Sequence, residues 1–155
     1  MFIKALAPGQ IAAKKIPLLK FIHNHGERRI TRTAVHWFTQ ADARELCQPG
    51  TLILAAVQDG KLVGLCGVAG YGSKAAFVVV DRRHRGQGIG RRLMSEQLKR
   101  LGKLYCNVAI DNLASIRMCF QAGLVAVRLF TGETGKPTLH LTGGDERWLK
   151  QVWES

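Results

Sequence analysis

The chain has no long apolar run, and nothing near its start reads as a secretory leader. Lysines interrupt each apolar stretch there before it reaches the length of a leader or of a membrane-spanning helix. We therefore expect no membrane partner and a cytoplasmic location. The interrupting residues are Lys4, Lys14, Lys15 and Lys20.

Cysteine is also scarce, with 4 residues in 155. The cysteines form no Cys-x-x-Cys pair, and none has a histidine at the spacing of metal ligands. Each lies beside apolar residues, which predicts reduced, partly buried thiols, no disulfide framework and no bound metal. The four are Cys47, Cys66, Cys106 and Cys119.

Acidic residues are few, with 11 Asp and Glu against 23 Lys and Arg, and the formal net charge is +12. Such a surface attracts polyanions such as coenzyme A, nucleic acid or an acidic protein. The segment from Arg82 to Lys103 is rich in Lys and Arg and has a single acid, Glu96. Because this segment has no aromatic residue to stack on a base, we expect any nucleic-acid binding to be weak and non-specific.

Internal repeats, low-complexity tracts and Pro- or Ser-rich linkers are missing as well. A chain of 155 residues with 46% hydrophobic composition is long enough for one well-buried core and too short for two ordinary domains. We therefore predict a single domain over residues 1–155.

The apolar pattern predicts helices packed on antiparallel strands, an α+β fold. The clearest signal is a hairpin with strands at 52–57 and 62–68, joined by the turn Asp59-Gly60. A basic amphipathic helix is expected over 11–22, kinked or delayed by Pro17. The other expected elements are a strand at 2–6, a helix at 41–48, a strand ending at Val80, a helix over 88–101, a strand at 104–110, a helix with the apolar face Leu113, Ile116, Phe120 and Leu124, strands at 125–130 and 138–141, and a terminal helix over 145–153.

A buried strand, a basic loop with three glycines and an amphipathic helix follow one another in the middle of the chain. The strand occupies positions 77–80, and the loop carries Gly86, Gly88 and Gly90. These glycines let the backbone approach a ligand without a Cβ in the way. The N–H groups at the helix start, the helix macrodipole and the flanking arginines favour an anion, so we predict a bound phosphate here.

The glycine pattern is not a P-loop, since no Gly-Lys-Ser/Thr follows, and not a Rossmann fingerprint, since its third glycine comes too early. It resembles the acyl-CoA loop of the GNAT superfamily of N-acetyltransferases, Gln/Arg-x-x-Gly-x-Gly/Ala. The run Arg85-Gly86-Gln87-Gly88-Ile89-Gly90 fits every position of that motif. A second family motif agrees at three of four positions, Asn112, Ser115 and Gly123, whereas Cys119 stands where the family carries tyrosine.

The resemblance implies a GNAT-like fold over most of residues 1–145, with a mixed, mostly antiparallel sheet flanked by helices. It also implies acetyl-CoA as cosubstrate, with the pantetheine arm lying beside the strand Val78-Val79-Val80 like an added strand. A backbone N–H near Val79 or Val80 would then polarise the thioester carbonyl. Asn112 would either bond the pantetheine or cap a helix. The residues that this resemblance assigns to the cosubstrate are Val78, Val79, Val80, Arg85, Gly86, Gln87, Gly88, Ile89, Gly90, Arg91, Asn112 and Ser115.

The catalytic groups are less defined. In the family a tyrosine usually protonates the departing thiolate, and Cys119 at that position is a candidate acid with a short side chain and a weak S–H donor; its alternative role is packing. Glu27, His36, Glu45 and His140 are candidate general bases by residue type alone.

The acceptor is expected among residues 22–45 and the last hairpin, where Trp37, Phe38 and His140 would line a pocket. Acidic residues are sparse there, which disfavours polycationic acceptors.

Three functions fit these observations. The first is an N-acetyltransferase that moves an acetyl group from acetyl-CoA to a primary amine by direct attack. The second is a catalytically idle acyl-CoA-binding domain that acts as a sensor, which the missing tyrosine permits. The third is a basic nucleic-acid-binding module that uses the net charge of +12.

Overall fold

The computed structural model describes residues 1–26 and 32–144, together with Arg147, Lys150, Gln151 and Glu154. The terminal helix expected over 145–153 lies mostly outside the described residues, and so does Glu27. Within the described part, no helix is long and apolar enough to cross a bilayer.

Runs of helices and runs of antiparallel strands follow one another along the chain, an α+β fold, which confirms the expected fold class. Short 3-10 turns lie at Gly70–Gly72 and Arg82–His84. The elements are β1 (Phe2–Ala5), α1 (Pro8–Ala13), α2 (Lys15–His25), α3 (Arg32–Gln40), α4 (Ala43–Leu46), β2 (Leu52–Gln58), β3 (Lys61–Ala69), β4 (Ala75–Val80), α5 (Ile89–Leu101), β5 (Lys103–Ala109), α6 (Leu113–Gln121), β6 (Val125–Thr131) and β7 (Pro137–Gly144).

The strands form two sheets, each with antiparallel pairing. The first has the order β1-β2-β3-β4, and the second has the order β5-β7-β6. The predicted hairpin is confirmed as β2 and β3, and its turn residues Asp59 and Gly60 have φ of 52° and 74°, as a tight two-residue hairpin turn requires. The outer edge strands are irregular or short: β6 has a register shift between Ala126 and Arg128, and β1 has 4 residues.

The N-terminal helical region is divided at a different place from the one expected. The break lies at Lys14, whose φ of −114° and ψ of 18° separate α1 from α2. Pro17 neither kinks nor delays α2, because it lies in the first turn, where backbone N–H groups have no intrahelical acceptor to lose.

The sheets are covered on two sides, which we call the front and the back. The front carries α1–α3, which bury Phe38, Phe77 and Val79 with other apolar residues. The back carries α5 and α6, which bury Leu93, Cys106 and other residues of both sheets. The described residues thus bury two separate clusters, one on each side of the sheets.

The apolar face predicted for the α6 region is confirmed at Ile116 and Leu124 and wrong at Leu113 and Phe120. Ile116 and Cys119 are buried, whereas Leu113 is 70% and Phe120 is 49% exposed. The buried face is thus rotated toward the cysteine. Of the four thiols expected to be partly buried, three are buried and Cys47 is exposed.

Candidate functional site

The inner edge of β4 carries backbone groups that no described strand pairs with. The N–H of Asp81 donates to the carbonyl of Val63 at 2.9 Å, which makes these two residues a hydrogen-bonded pair of the antiparallel ladder. Since hydrogen-bonded and non-hydrogen-bonded pairs alternate along the ladder, the N–H and C=O groups of Val79 bond to Leu65 of β3. The N–H and C=O groups of Val78 and Val80 therefore point to the free edge.

The inner edge of β5 has the same character. The N–H of Ile110 donates to the carbonyl of Pro137 at 2.9 Å. Every second residue before it, beginning with Val108 and Cys106, therefore bonds to β7 through its N–H and C=O groups. The backbone groups of Asn107 and Ala109 then point away from β7, and the Ala109 carbonyl accepts the N–H of Asn112 at 2.9 Å. The edges of β4 and β5, which belong to different sheets, border a cleft that an extended, amide-bearing ligand can enter as an added strand.

The cleft is closed where β4 and β5 begin. Gly72, just before β4, lies so close to β5 that a Cβ built on it would be 1.9 Å from the carbonyl oxygen of Tyr105. Its φ of +101° also favours glycine. The two strands meet there, and the cleft lies between their later residues.

At the other end of β4, the glycine loop leads into α5. Gly86 and Gly88 have φ of 80° and 78°, and Gly88 is the N-cap of α5. The first intrahelical bond runs from the N–H of Arg92 to the carbonyl of Gly88, so the N–H groups of the preceding turn have no intrahelical acceptor. With no acidic residue in that turn, the helix start suits a phosphate.

The remaining loop residues differ in what they do. Gly90 is already helical, and a Cβ there would meet Met118 Sδ at 2.8 Å, so this glycine allows α5 and α6 to pack closely. Ile89 is 3% exposed and anchors the helix start in the back core. The guanidinium of Arg91 lies over Gly88, 3.5 Å from where a Cβ would stand. Gln87 is exposed on the loop.

Asp81, which is 4% exposed, lies at the start of the loop and bonds to the residues that follow it. Its carboxylate accepts the Arg83 N–H at 2.9 Å and the Arg83 guanidinium at 3.3 Å, and it lies near the rings of His25 and His84 at 3.9 and 3.7 Å. The hydrogen bonds from the Arg83 guanidinium and N–H keep the pKa of Asp81 far below its ordinary value. The Arg83 guanidinium is therefore already ion-paired with Asp81.

Helix α2 is fastened to the same loop through its last residue. The N–H of Arg82 donates to Nδ1 of His25 at 3.2 Å, and the guanidinium of Arg85 donates to the His25 carbonyl. Helix α2 and the glycine loop are thus linked through His25, which sequence reasoning missed because the partners are far apart along the chain.

Helix α6 borders the cleft from the back. Asn112 caps it, with its side-chain oxygen accepting the N–H of Ser115 at 3.4 Å. Cys119 is 2% exposed beside Cys106. Hydrogen bonding to Cys119 and burial raise the pKa of Cys106 well above its ordinary value, so that thiol stays protonated at neutral pH.

The residues expected around the acceptor do not all lie together. Phe38 is fully buried in the front core and cannot line a pocket, which corrects that expectation. Trp37 and His36 line an open cavity of about 240 Å³ with Glu45 and Lys74. Glu45 accepts hydrogen bonds from Trp37 Nε1 at 3.1 Å and Lys74 Nζ at 2.9 Å, and these bonds lower the pKa of Glu45.

His140 lies elsewhere, on the front of the second sheet. Its Nδ1 is 2.7 Å from Oδ1 of Asn107, a residue that the sequence reading did not select. The signal was present, since Asn107 alternates with the apolar residues Cys106 and Val108 and so belongs to the opposite face of β5. Over the described residues, no group of three His, Cys, Asp or Glu could hold a metal ion.

The unpaired strand edges suit an extended ligand that carries amide groups, and the helix start suits an anion. The sequence model of the acetyltransferase (GNAT) family matches residues 19–123, a span that includes the strand, the loop and α6. The chain belongs to the GNAT family of acetyltransferases.

Known proteins agree with this assignment. Over 101 residues, 60% of this chain, it is 35% identical to the N-alpha-acetyltransferase RimI of Mycobacterium tuberculosis (strain ATCC 25618 / H37Rv). The match spans 64% of that relative's length. Two solved structures, each 18% identical, share the fold: a ribosomal-protein-alanine N-acetyltransferase from Brucella melitensis (TM-score 0.66, covering 94% of this chain and 100% of that one) and a variant of the spermidine N-acetyltransferase SpeG from Vibrio cholerae (TM-score 0.65, covering 97% and 99%).

Proposed function

We propose that this GNAT acetyltransferase moves the acetyl group of acetyl-CoA to a primary amine by direct attack. The observation that carries the proposal is the unpaired edge of β4, which borders the cleft and runs directly into the glycine loop. The functional groups of acetyl-CoA suit this arrangement. The amides of the pantetheine arm can bond to strand edges, and the pyrophosphate is an anion that a helix start can bind.

The residues that would hold the cosubstrate follow from this placement. Val78 and Val80 offer backbone groups to the pantetheine, and the N–H groups of residues 85–91 surround the pyrophosphate. Val79 is the exception among the three valines, because its backbone groups face Leu65 of β3 and its side chain is buried in the front core. Asn112 and Ser115 lie at the start of α6, where the cap bond uses only one acceptor position of Asn112.

Bound acetyl-CoA supplies a thioester carbonyl that an amine can attack. The amine must first be neutral, and a lysine-like amine has a pKa of about 10.4 whereas an α-amine has one of about 8. A backbone N–H of Val78 or Val80 would stabilise charge on the carbonyl oxygen.

An α-amine acceptor is favoured over a polycation. The relative with 35% identity is named for N-alpha acetylation, whereas the spermidine enzyme is 18% identical and shows the fold alone. Glu45, an acid on the cavity wall, is already paired with Lys74, so it offers no free carboxylate to a polycation.

A screen of amine acceptors with acetyl-CoA, read by thiol release, tests the proposed function. We expect release with peptides that have a free N-terminus and none with the same peptides N-terminally blocked. Spermidine and an aminoglycoside serve as polycationic comparisons. Preference for either of them would contradict the α-amine assignment.

Tight acetyl-CoA binding without thiol release from any amine would favour the idle sensor, the alternative that the missing tyrosine permits. Sequence-selective, salt-resistant nucleic-acid binding that ignores coenzyme A would favour the basic module instead. The single-domain organisation over 1–155, the cytoplasmic location and the absence of a metal stay predictions.

Cys119→Ala is expected to cost about 1 kcal/mol of unfolding free energy and to leave kcat nearly unchanged, because the buried thiol fills space in the back core. Urea unfolding and steady-state kinetics measure the two effects. The matched control is Cys47→Ala, which changes an exposed thiol. A loss of kcat of about 10²-fold with stability preserved would show instead that Cys119 is the acid.

A further inference from the structure

Three polar side chains share the front of the second sheet beside the cleft. Leu104, Cys106 and Val108 of β5 face the back core, so Tyr105 and Asn107 between them face the front. The same alternation places His140 of β7 on the front. His140 is the direct cross-strand partner of Asn107.

The hydrogen bond between these partners sets the tautomer of the imidazole. Nδ1 of His140 lies 2.7 Å from Oδ1 of Asn107, and a carbonyl oxygen can only accept. Nδ1 therefore carries the proton, and Nε2 keeps its lone pair. The ring of Tyr105 stacks on the imidazole with centroids 5.6 Å apart and an angle of 28°. The ring is thus held in one orientation.

The surroundings of His140 favour the neutral imidazole. Burial, and then the positive charge of Arg128 on β6, lower the pKa of His140. Arg128 from β6 and Tyr105 from β5 are the charged and titratable groups that face it, and no described carboxylate contacts it. Nε2 is therefore available as a base at neutral pH.

The pair lies at the rim of the cleft. Asn107 presents its backbone to the free edge of β5 and its exposed side chain to the front. His140 is one strand further from the cleft and half-buried. An acceptor that approaches from the front, the side opposite α5 and α6, meets this pair before it reaches the cleft.

We propose that His140 is the general base of the reaction and that Asn107 is the positioning residue that fixes its tautomer. The inference rests on the proposed function. Nε2 takes one proton from the acceptor ammonium, and the nitrogen lone pair then attacks the thioester carbonyl carbon. The C–N bond forms, the C–S bond breaks and the sulfur keeps the electron pair. The second proton lost by nitrogen passes to the sulfur, and the imidazolium returns the first proton to solvent.

The other described candidates are less suited to this role. The carboxylate of Glu45 accepts hydrogen bonds from Lys74 and Trp37, and that of Asp81 pairs with Arg83. These contacts stabilise the charged form, so taking up a proton would weaken them, and both carboxylates are poor bases. His36 lines the cavity on α3, and no hydrogen bond from another described residue fixes its tautomer.

His140→Ala tests the proposal through the pH profile of kcat/KM. In the wild-type protein kcat/KM should rise through a pKa below the ordinary histidine value of about 6.5 and then level off. In His140→Ala it should be lower by about 10²-fold at pH 7 and should continue to rise with pH, because solvent must then deprotonate the amine. The acetyl-CoA-induced melting shift should be unchanged. The control is Lys61→Ala, an exposed side chain at the start of β3, outside the region expected to hold the acceptor.

Asn107→Asp separates positioning from structure. A carboxylate beside Nδ1 favours the imidazolium, so the rising limb of the profile should move to higher pH while the fold is kept. An unchanged profile in both His140→Ala and Asn107→Asp, with an active wild-type protein, would overturn the assignment of the base. If the wild-type protein releases no thiol with any amine, the proposed function fails and the base with it.

Discussion

Gly88→Glu is expected to abolish the thermal stabilisation that acetyl-CoA gives to the wild-type protein. A ligand that binds only the native state at a hundredfold excess over Kd adds about 2.7 kcal/mol, which raises Tm by roughly 5–10 °C in a chain of this size. Gly88 is the N-cap of α5, where the free N–H groups lie. A glutamate there would place a carboxylate on the anion site beside Arg91, where the pyrophosphate is proposed to bind.

The matched control is Gly102→Glu at the other end of the same helix. Gly102 has φ of +81° against +78° for Gly88, and no atom lies within 4 Å of a Cβ built on Gly102. Both variants carry the backbone cost of a left-handed residue, about 1–2 kcal/mol, but only the Gly88 variant should lose the acetyl-CoA shift. Differential scanning fluorimetry with and without acetyl-CoA measures this. A wild-type Tm that millimolar acetyl-CoA leaves unchanged would refute the cosubstrate assignment.

The second large effect is expected at the closed end of the cleft. Gly72→Ala should lower the unfolding free energy by about 2–5 kcal/mol, from about 1–2 kcal/mol of left-handed backbone strain and about 1–3 kcal/mol of forced displacement. A methyl group cannot stand 1.9 Å from the Tyr105 carbonyl oxygen, so β4 and β5 must move apart. Urea unfolding measures the loss, and acetyl-CoA affinity should fall with it because the cleft changes width.

Gly60→Ala is the control that carries left-handed backbone strain without the close contact that Gly72 makes with Tyr105. Gly60 has φ of +74° in the β2–β3 turn, and a Cβ there would meet nothing within 4 Å. It should cost only the backbone strain and leave acetyl-CoA affinity unchanged. Equal losses in the two variants would show that the contact between Gly72 and β5 contributes nothing.

Local patterns predicted the individual elements well. The turn Asp59-Gly60, the strand before the glycine loop and the helix after it all depend on residues close together in sequence, and they stand where expected. The separation of the strands into two sheets was not predicted. It depends on the pairing of β5 with β7, and no local periodicity encodes which strand a distant strand will choose.

The errors in the helices have local physical causes. In α6, Leu113 and Phe120 outweighed Cys119 in the apolar pattern, yet the small thiol of Cys119 is 2% exposed and packs beside Cys106 of β5. In α2, the effect of Pro17 depended on its position in the helix, which only the location of the break at Lys14 determines.

In the candidate site, too, features that depend on neighbouring residues could be predicted, whereas contacts between distant residues could not. The glycine loop could be predicted because its φ angles are local requirements that glycine satisfies. The partners of Asp81, the link through His25 and the pair of Asn107 with His140 join residues from separate elements. Fully buried Gln97, which donates to the carbonyls of Leu52 and Cys66, was missed for the same reason.

The bulge in β6 has a consequence for aggregation. An outer edge strand exposes a row of N–H and C=O groups on which another chain can polymerise, and a bulge twists the strand and breaks that row. In β6 the register shifts between Ala126 and the exposed Arg128, and at the opposite outer edge β1 is short and carries Lys4. The two remaining described edges, those of β4 and β5, face the cleft and not the outside of the sheets. Copies of the protein are thus discouraged from pairing edge to edge, while these two strand edges remain available inside the molecule.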